Sequence, residues 1–180
     1  MQPEETHQSH ISRYIVPILF GIIALGLTIP FVLNAYKNRQ LAANETALVE
    51  RLRAFVKDQK AHFEKKQEYA QTFSDLGGPW AEIQDMDAKK PTTLHGYHFR
   101  ILKAQGQQVP EGAKSYLDDS GRMTKGHALL AVPEKYGFTG IHTFLIRDGG
   151  IWYVDLDVTG HKLTDTLQYF MIPEKAQKLE

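Results

Sequence analysis

The chain has 180 residues, 21 basic and 21 acidic side chains, a formal net charge of zero and no cysteine. The missing cysteine excludes a disulfide framework, thiolate zinc sites, redox pairs and cysteine nucleophiles. The balanced charge, with no Lys/Arg-rich stripe interleaved with aromatics, leaves no basis for nucleic acid as a partner. Residues 1–40 carry only Arg13, Lys37 and Arg39 against Glu4 and Glu5, so the remainder is also close to neutral. About 140 residues beyond that segment suit one domain of ordinary size.

From Ile15 to Leu33 the chain runs without a charge, and at about 1.5 Å per residue this stretch nearly spans a hydrocarbon core of roughly 30 Å. Tyr14 and Tyr36 bracket it, and Arg13, Lys37 and Arg39 lie just outside, the arrangement that suits a bilayer interface. A cleaved signal peptide would have a shorter apolar region and a small-residue cleavage site. Here Asn34, Ala35 and Tyr36 follow instead. The expected layout is a tail over 1–14, an uncleaved transmembrane anchor over 15–36 and a single α+β domain over 37–180.

Within the domain, Leu41, Leu48, Leu52, Phe55, Val56, Phe63 and Ala70 recur at steps of three, four and seven, separated by charged residues. This is an amphipathic helix, predicted over about 44–73 with Asn44 as N-cap, ending before Gly77-Gly78-Pro79. Glu45, Gln59 and Lys66 interrupt the apolar seam, which argues against a coiled coil and for packing on a sheet. Whether anchor and helix are separate or continuous is left open by the sequence.

After Pro91 the period changes to two. Tyr97, Phe99 and Ile101 alternate with His98, Arg100 and Leu102, which predicts a half-buried strand. Gly106 to Ser120 is loop-like. His127–Val132, Gly140–Ile146 and Ile151–Leu156 read as strands, with Asp148-Gly149-Gly150 as a tight hairpin turn. Connections this short favour an antiparallel sheet, about 94–157, crossed on one face by the helix. Trp80, Tyr97, Phe99, Phe144, Trp152 and Tyr153 are expected to fill the space between helix and sheet. Thr164 to Phe170 is the candidate closing helix within a C-terminal helix or tail over 160–180.

The string from His95 to Gly106, read with Gly121-Arg122-Met123, resembles a bacterial family known as domain of unknown function 2950. Gly126, Ala128, Leu129, Ala131, Pro133, Tyr136, Gly137, Thr139, Gly140, Thr143, Phe144, Gly149, Tyr153, Asp155 and Leu156 fall on the family's pattern of glycines, prolines and aromatics. The similarity extends over about residues 45–173. The helix with its Phe63 to Ala70 ending is also similar to that of type IV pilin-like and pseudopilin-like proteins. That resemblance implies a membrane helix followed by a helix-on-antiparallel-sheet domain facing outward. The chain departs from a prepilin at Ser12-Arg13-Tyr14 and has no acidic residue from Ile15 to Leu33, so processing and filament assembly are not expected.

No constellation of side chains converges on a reaction. His95 and His98 are three apart on a predicted strand and point to opposite faces. Centring the β-connection near Tyr136 places His127 opposite about Leu145, so His127 and His142 are at best diagonal neighbours. Asp155 and Asp157 share a face and, with Asp165, offer too few oxygens for calcium. Asp118-Asp119-Ser120-Gly121 is the pattern of a loop whose carboxylates bond its own backbone. No catalytic, cofactor-binding or metal residue is therefore assigned, and no cofactor is expected.

The sequence thus reads as a single-pass membrane-anchored envelope protein of bacteria with a pilin-like interaction or structural domain, not an enzyme. Its expected partners are the lipid bilayer and a protein or a second copy of itself. The alternative is an anchored small-ligand, metal-binding or enzymatic domain using His95, His98, Asp155 and Asp157. Flanking charges lean toward a cytoplasmic domain, but both resemblances imply export. A few charges rarely decide the fate of a long C-terminal domain, so the domain is placed in the periplasm, on the outer side of the inner membrane.

Overall fold

The computed structural model describes residues 9–106, 112–147, 149–156 and 176–179, with side chains from residue 14 onward. The hairpin residue Asp148, the acids Asp157 and Asp165 and the closing helix expected over Thr164 to Phe170 lie outside the described residues. The chain divides into two units, Met1–Arg39 and Gln40–Glu180. The architecture is α+β, with one long N-terminal helix and an antiparallel sheet.

Helix α1 runs from Ser9 to Lys66 and continues through Asn44. Asn44 therefore caps no new helix; its amide instead donates to the Thr139 carbonyl at 2.9 Å. In the first unit the apolar side chains from Tyr14 to Tyr36 are all exposed, for example Phe20 at 72 % and Phe31 at 77 %. Among the described residues one helix is therefore long and apolar enough to cross a membrane.

In the second unit α1 buries one stripe: Leu41, Leu48, Leu52, Phe55 and Gln59, at spacings that keep them on one face. The helix ends at Lys66 rather than near 73. Gln67 adopts a φ of 60° and its N–H returns to the Phe63 carbonyl, a left-handed cap closing the last turn. The chain then folds back. Gln59 fixes the reversal, its amide nitrogen donating to the Ala70 carbonyl and its oxygen accepting the Ala70 N–H. A short helix α2, Phe73–Leu76, opens with Thr72 and Asp75 capping each other. The following 3-10 turn, Gly78–Trp80, delivers Trp80 to the core, edge-on to Phe55 at 5.4 Å. Its indole N–H donates to Asp58.

The main sheet has the order β1-β4-β5-β6-β7 and is antiparallel throughout. Its strands are β1 (Tyr97–Leu102), β4 (Ala128–Pro133), β5 (His142–Arg147), β6 (Gly150–Asp155) and β7 (Gln177–Lys178). A separate ribbon pairs β2 (Ala104–Gln105) with β3 (Lys114–Ser115), and β3 falls inside the Gly106–Ser120 stretch expected to be only loop. Arg147 pairs with Gly150, and Gly149 has a φ of 79°, so the β5–β6 hairpin is a two-residue turn needing the left-handed backbone that glycine tolerates.

Register sets the faces. Tyr97, Phe99, Ile101, Leu129, Ala131, Phe144, Ile146, Ile151 and Tyr153 share the face whose core includes Leu48, Leu52 and Phe55 of α1. Trp152 falls on the opposite face, where Lys178 lies over its ring at 5.9 Å, so it does not fill the helix–sheet space. The opposite face is also buried at β1 and β4, each of whose six residues is buried. The expected half-buried β1 is thus corrected. Arg100 shows why alternation misled: its guanidinium is met by Asp85 and Asp87, so a charged residue occupies a buried position by being paired. Desolvation pushes the Asp85 carboxyl above its usual range despite Arg100.

Candidate functional site

The densest polar constellation is centred on Glu45, half-buried on the line of the buried stripe of α1. Leu41 and Leu48 flank it one turn away on either side, and both are buried, so the helix carries the carboxylate into the sheet. Oε1 accepts the backbone N–H of Ile141 at 2.7 Å and of His142 at 3.0 Å, and the Tyr97 hydroxyl donates to it at 3.1 Å. Oε2 lies 2.9 Å from His142 Nδ1. The Tyr97 hydroxyl is shared with the His142 carbonyl, also 3.1 Å away.

Burial opposes ionisation of Glu45, but the two backbone N–H groups and His142 outweigh it and hold the carboxyl below its usual range. The Tyr97 phenol moves the other way, pushed up by burial and by the Glu45 charge. Tyr97 is therefore a neutral donor.

Two glycines make room. A Cβ on Gly140 would fall on the Tyr97 hydroxyl and ring, and one on Gly96 (φ 76°) would lie 2.7 Å from the Thr139 Cβ. Gly140→Ala is expected to displace Tyr97 from Glu45 and lower stability by about 1–3 kcal/mol, read as a lower thermal midpoint in detergent-solubilised full chain. An unchanged midpoint would mean that Tyr97 moves aside freely.

Beside the cluster is an open cleft of about 330 Å³, lined by Ala42, Val49, His142, Phe144, Tyr153 and Leu179 among others. The His142 ring meets Tyr153 edge-on at 5.0 Å. With Glu45 on Nδ1, Nε2 is the imidazole nitrogen left for other contacts. The hydroxyls nearby are engaged: Tyr97 on Glu45, Thr46 on the Ala42 carbonyl. Chemically the cluster is a carboxylate–imidazole pair that joins a helix to the start of a strand.

The other singled-out residues are dispersed. His95 is exposed in a turn with φ 53°, whereas His98 is buried, its Nδ1 3.3 Å from the Thr92 carbonyl. The β4–β5 register pairs Ala128 with Arg147 and Leu130 with Leu145, shifted by three residues from the expected pairing of His127 with Leu145. His127 instead stacks near Tyr69 and Phe55, far along the sheet from His142. Asp155 accepts the Tyr136 hydroxyl. Asp118 bonds its own loop: Oδ1 accepts from the Ser120 and Arg122 N–H groups and the Ser120 hydroxyl. These bonds, the Ser120 hydroxyl's foremost, hold its carboxyl down at about 2. Among the described residues no group of three or more His, Asp or Glu side chains is placed to hold a metal ion.

A family model described as a protein of unknown function, DUF2950, matches residues 67–178, more than half of the chain. The chain belongs to the DUF2950 family. The DUF2950 match begins directly after α1, later than the start near residue 45 that the resemblance implied, so the helix lies outside it. Tyr97, Ile141 and His142 belong to the DUF2950 region, while Glu45, which ties them together, comes from the helix. No curated protein and no solved structure matches the chain.

Proposed function

We infer that this chain is a single-pass membrane protein of the bacterial inner membrane, presenting a pilin-like α+β domain to the periplasm as an interaction or structural module without catalytic function. The observation that carries this reading is the exposed apolar surface of α1 from Tyr14 to Tyr36, which water disfavours and a bilayer covers. The helix-on-sheet layout supports the pilin-like comparison. The Glu45–His142–Tyr97 cluster supports a structural role, since the Glu45 carboxylate, the Tyr97 hydroxyl and His142 Nδ1 join α1 to the sheet. The bilayer is one partner, and a protein of the envelope or a second copy is the other. No pilus-type polymer is expected: N-terminally cleaved chain in sheared surface filaments would contradict the reading.

Topology provides the direct test. Ser115 is exposed on β3, and the chain has no native cysteine, so Ser115→Cys introduces a single thiol. A membrane-impermeant maleimide should label it once the outer membrane is permeabilised. Labelling only after inner-membrane lysis would place the domain in the cytoplasm and sink the envelope reading.

A second reading, an anchored small-ligand or enzymatic domain, draws on the cleft beside His142. His95, His98 and Asp155 are scattered, Asp157 lies outside the described residues, and the group such a domain would use is the Glu45-oriented imidazole of His142. His142→Phe abolishing an activity without loss of fold would favour it.

A further inference from the structure

The cleft beside His142 is walled by α1 and floored by β5 and β6, and Glu45 is the only formally charged side chain among the described residues that line it. Its carboxylate is held by two backbone N–H groups, the Tyr97 hydroxyl and His142 Nδ1. Among the described residues no lysine or arginine pairs with it. A carboxylate held by neutral donors keeps its charge, so the cleft has a negative pole with no cation to balance it.

The imidazole adds a second requirement. A carboxylate can only accept, so Nδ1, 2.9 Å from Glu45 Oε2, is the protonated nitrogen, and Nε2 of the neutral ring is an acceptor. Among the described residues no donor meets Nε2. The carboxylate on the opposite side of the ring makes it a stronger acceptor.

Three rings supply the rest. Tyr153 stands edge-on to His142 at 5.0 Å and Phe144 at 6.2 Å, while the Phe144 and Tyr153 rings lie 6.2 Å apart. The Tyr153 hydroxyl donates to Gln177 at 2.6 Å, which fixes that ring. Aromatic faces attract cations and, with Val49 of α1, offer apolar contact. An anion would meet the Glu45 charge and the Nε2 lone pair, both repulsive. A neutral alcohol would satisfy Nε2 and leave the charge unbalanced. Only an N–H-bearing cation on an apolar body suits the carboxylate, the imidazole and the rings together.

We propose that this cleft binds a small primary amine as its ammonium ion, one N–H donating to His142 Nε2 and the apolar body lying against Phe144 and Tyr153. This rests on the second reading above, that of a ligand-binding domain, and names its ligand class. A cleft of about 330 Å³ is at the small end of ligand sites, which suits a body of one ring or a short alkyl chain.

The test titrates three probes of similar shape, phenethylammonium, phenethyl alcohol and hydrocinnamate, into the full chain in nonionic detergent micelles by calorimetry, with protein-free micelles as the blank. The ammonium is expected to bind about tenfold more tightly than the alcohol, and the carboxylate not at all. Thr46 is exposed on α1 and lines the cleft, so Thr46→Trp should fill it and abolish ammonium binding. Glu45→Gln should bring the ammonium to the level of the alcohol; the probe series and Thr46→Trp decide the matter even where Glu45→Gln does not fold. Alcohol or carboxylate binding that equals the ammonium's and is lost in Thr46→Trp keeps the ligand-binding reading and overturns the ammonium assignment. Ammonium binding that persists in Thr46→Trp, or is unchanged in folded Glu45→Gln, also overturns it. Binding of none of the three removes the ligand-binding reading of this cleft, and the proposal with it.

Discussion

Phe55→Asp is expected to unfold the domain. Phe55 is fully buried, packed edge-on against Trp80 at 5.4 Å and tilted against His127 at 6.1 Å. An aspartate there loses the ring's contacts and leaves a carboxylate without a cation. Lost burial and unpaired charge together should cost on the order of 4 kcal/mol or more, a large share of the stability of a domain this size. Limited proteolysis of detergent-solubilised full chain should show rapid loss of the region after residue 40, with Phe55→Leu resistant. A protease-resistant Phe55→Asp domain would mean that α1 presents another face to the sheet.

The second large effect belongs to Glu45. Glu45→Ala leaves the Ile141 and His142 N–H groups without their acceptor and the Tyr97 hydroxyl with the His142 carbonyl alone, a loss of about 2–4 kcal/mol for a half-buried, charge-assisted cluster. The same residue sets a pH dependence. Its folded carboxyl titrates below the ordinary value of 4.5, so the fold favours the ionised form. That contribution is complete above about 4.5 and is lost as pH falls through the lower folded value. Denaturant midpoints of the full chain should therefore drop on acidification below about pH 4.5, and Glu45→Gln should shallow that drop while lowering the midpoint at neutral pH. Asp118 is held down as well, so some acid sensitivity should persist in Glu45→Gln. An acid limb unchanged by Glu45→Gln would show that the carboxylate is not the group responsible.

Both effects trace to the same helix face, and the face explains what was legible. Leu41, Leu48, Leu52 and Phe55 declare themselves by spacing, because only a helix brings such positions into one stripe. Glu45 and Gln59 occupy the same stripe and argue correctly against a sustained coiled-coil seam. What they do there was not legible. A polar residue in an apolar stripe is tolerated when a partner waits across the interface, and the partners, Ile141 and His142 for one and Ala70 for the other, lie as much as 97 residues away. That signal, a polar residue in a buried stripe, is the one that would have pointed to the site.

By itself the sequence determined the local features: the charge-free run from Ile15 to Leu33, the amphipathic stripe, the two-residue turn at Gly149, the self-bonded Asp118 loop and an antiparallel meander. These follow from composition, periodicity and the backbone demands of single residues. The tertiary structure alone decided the end of α1 at Lys66, where Gln59 rather than a helix breaker turns the chain back. It also decided the three-residue shift in the β4–β5 register that separates His127 from His142, the burial of both faces of β1, and the meeting of Glu45 with Tyr97 and His142. Each of these depends on contacts between segments distant in the chain, where the free energy of satisfying a buried polar group or filling a face outweighs local preference.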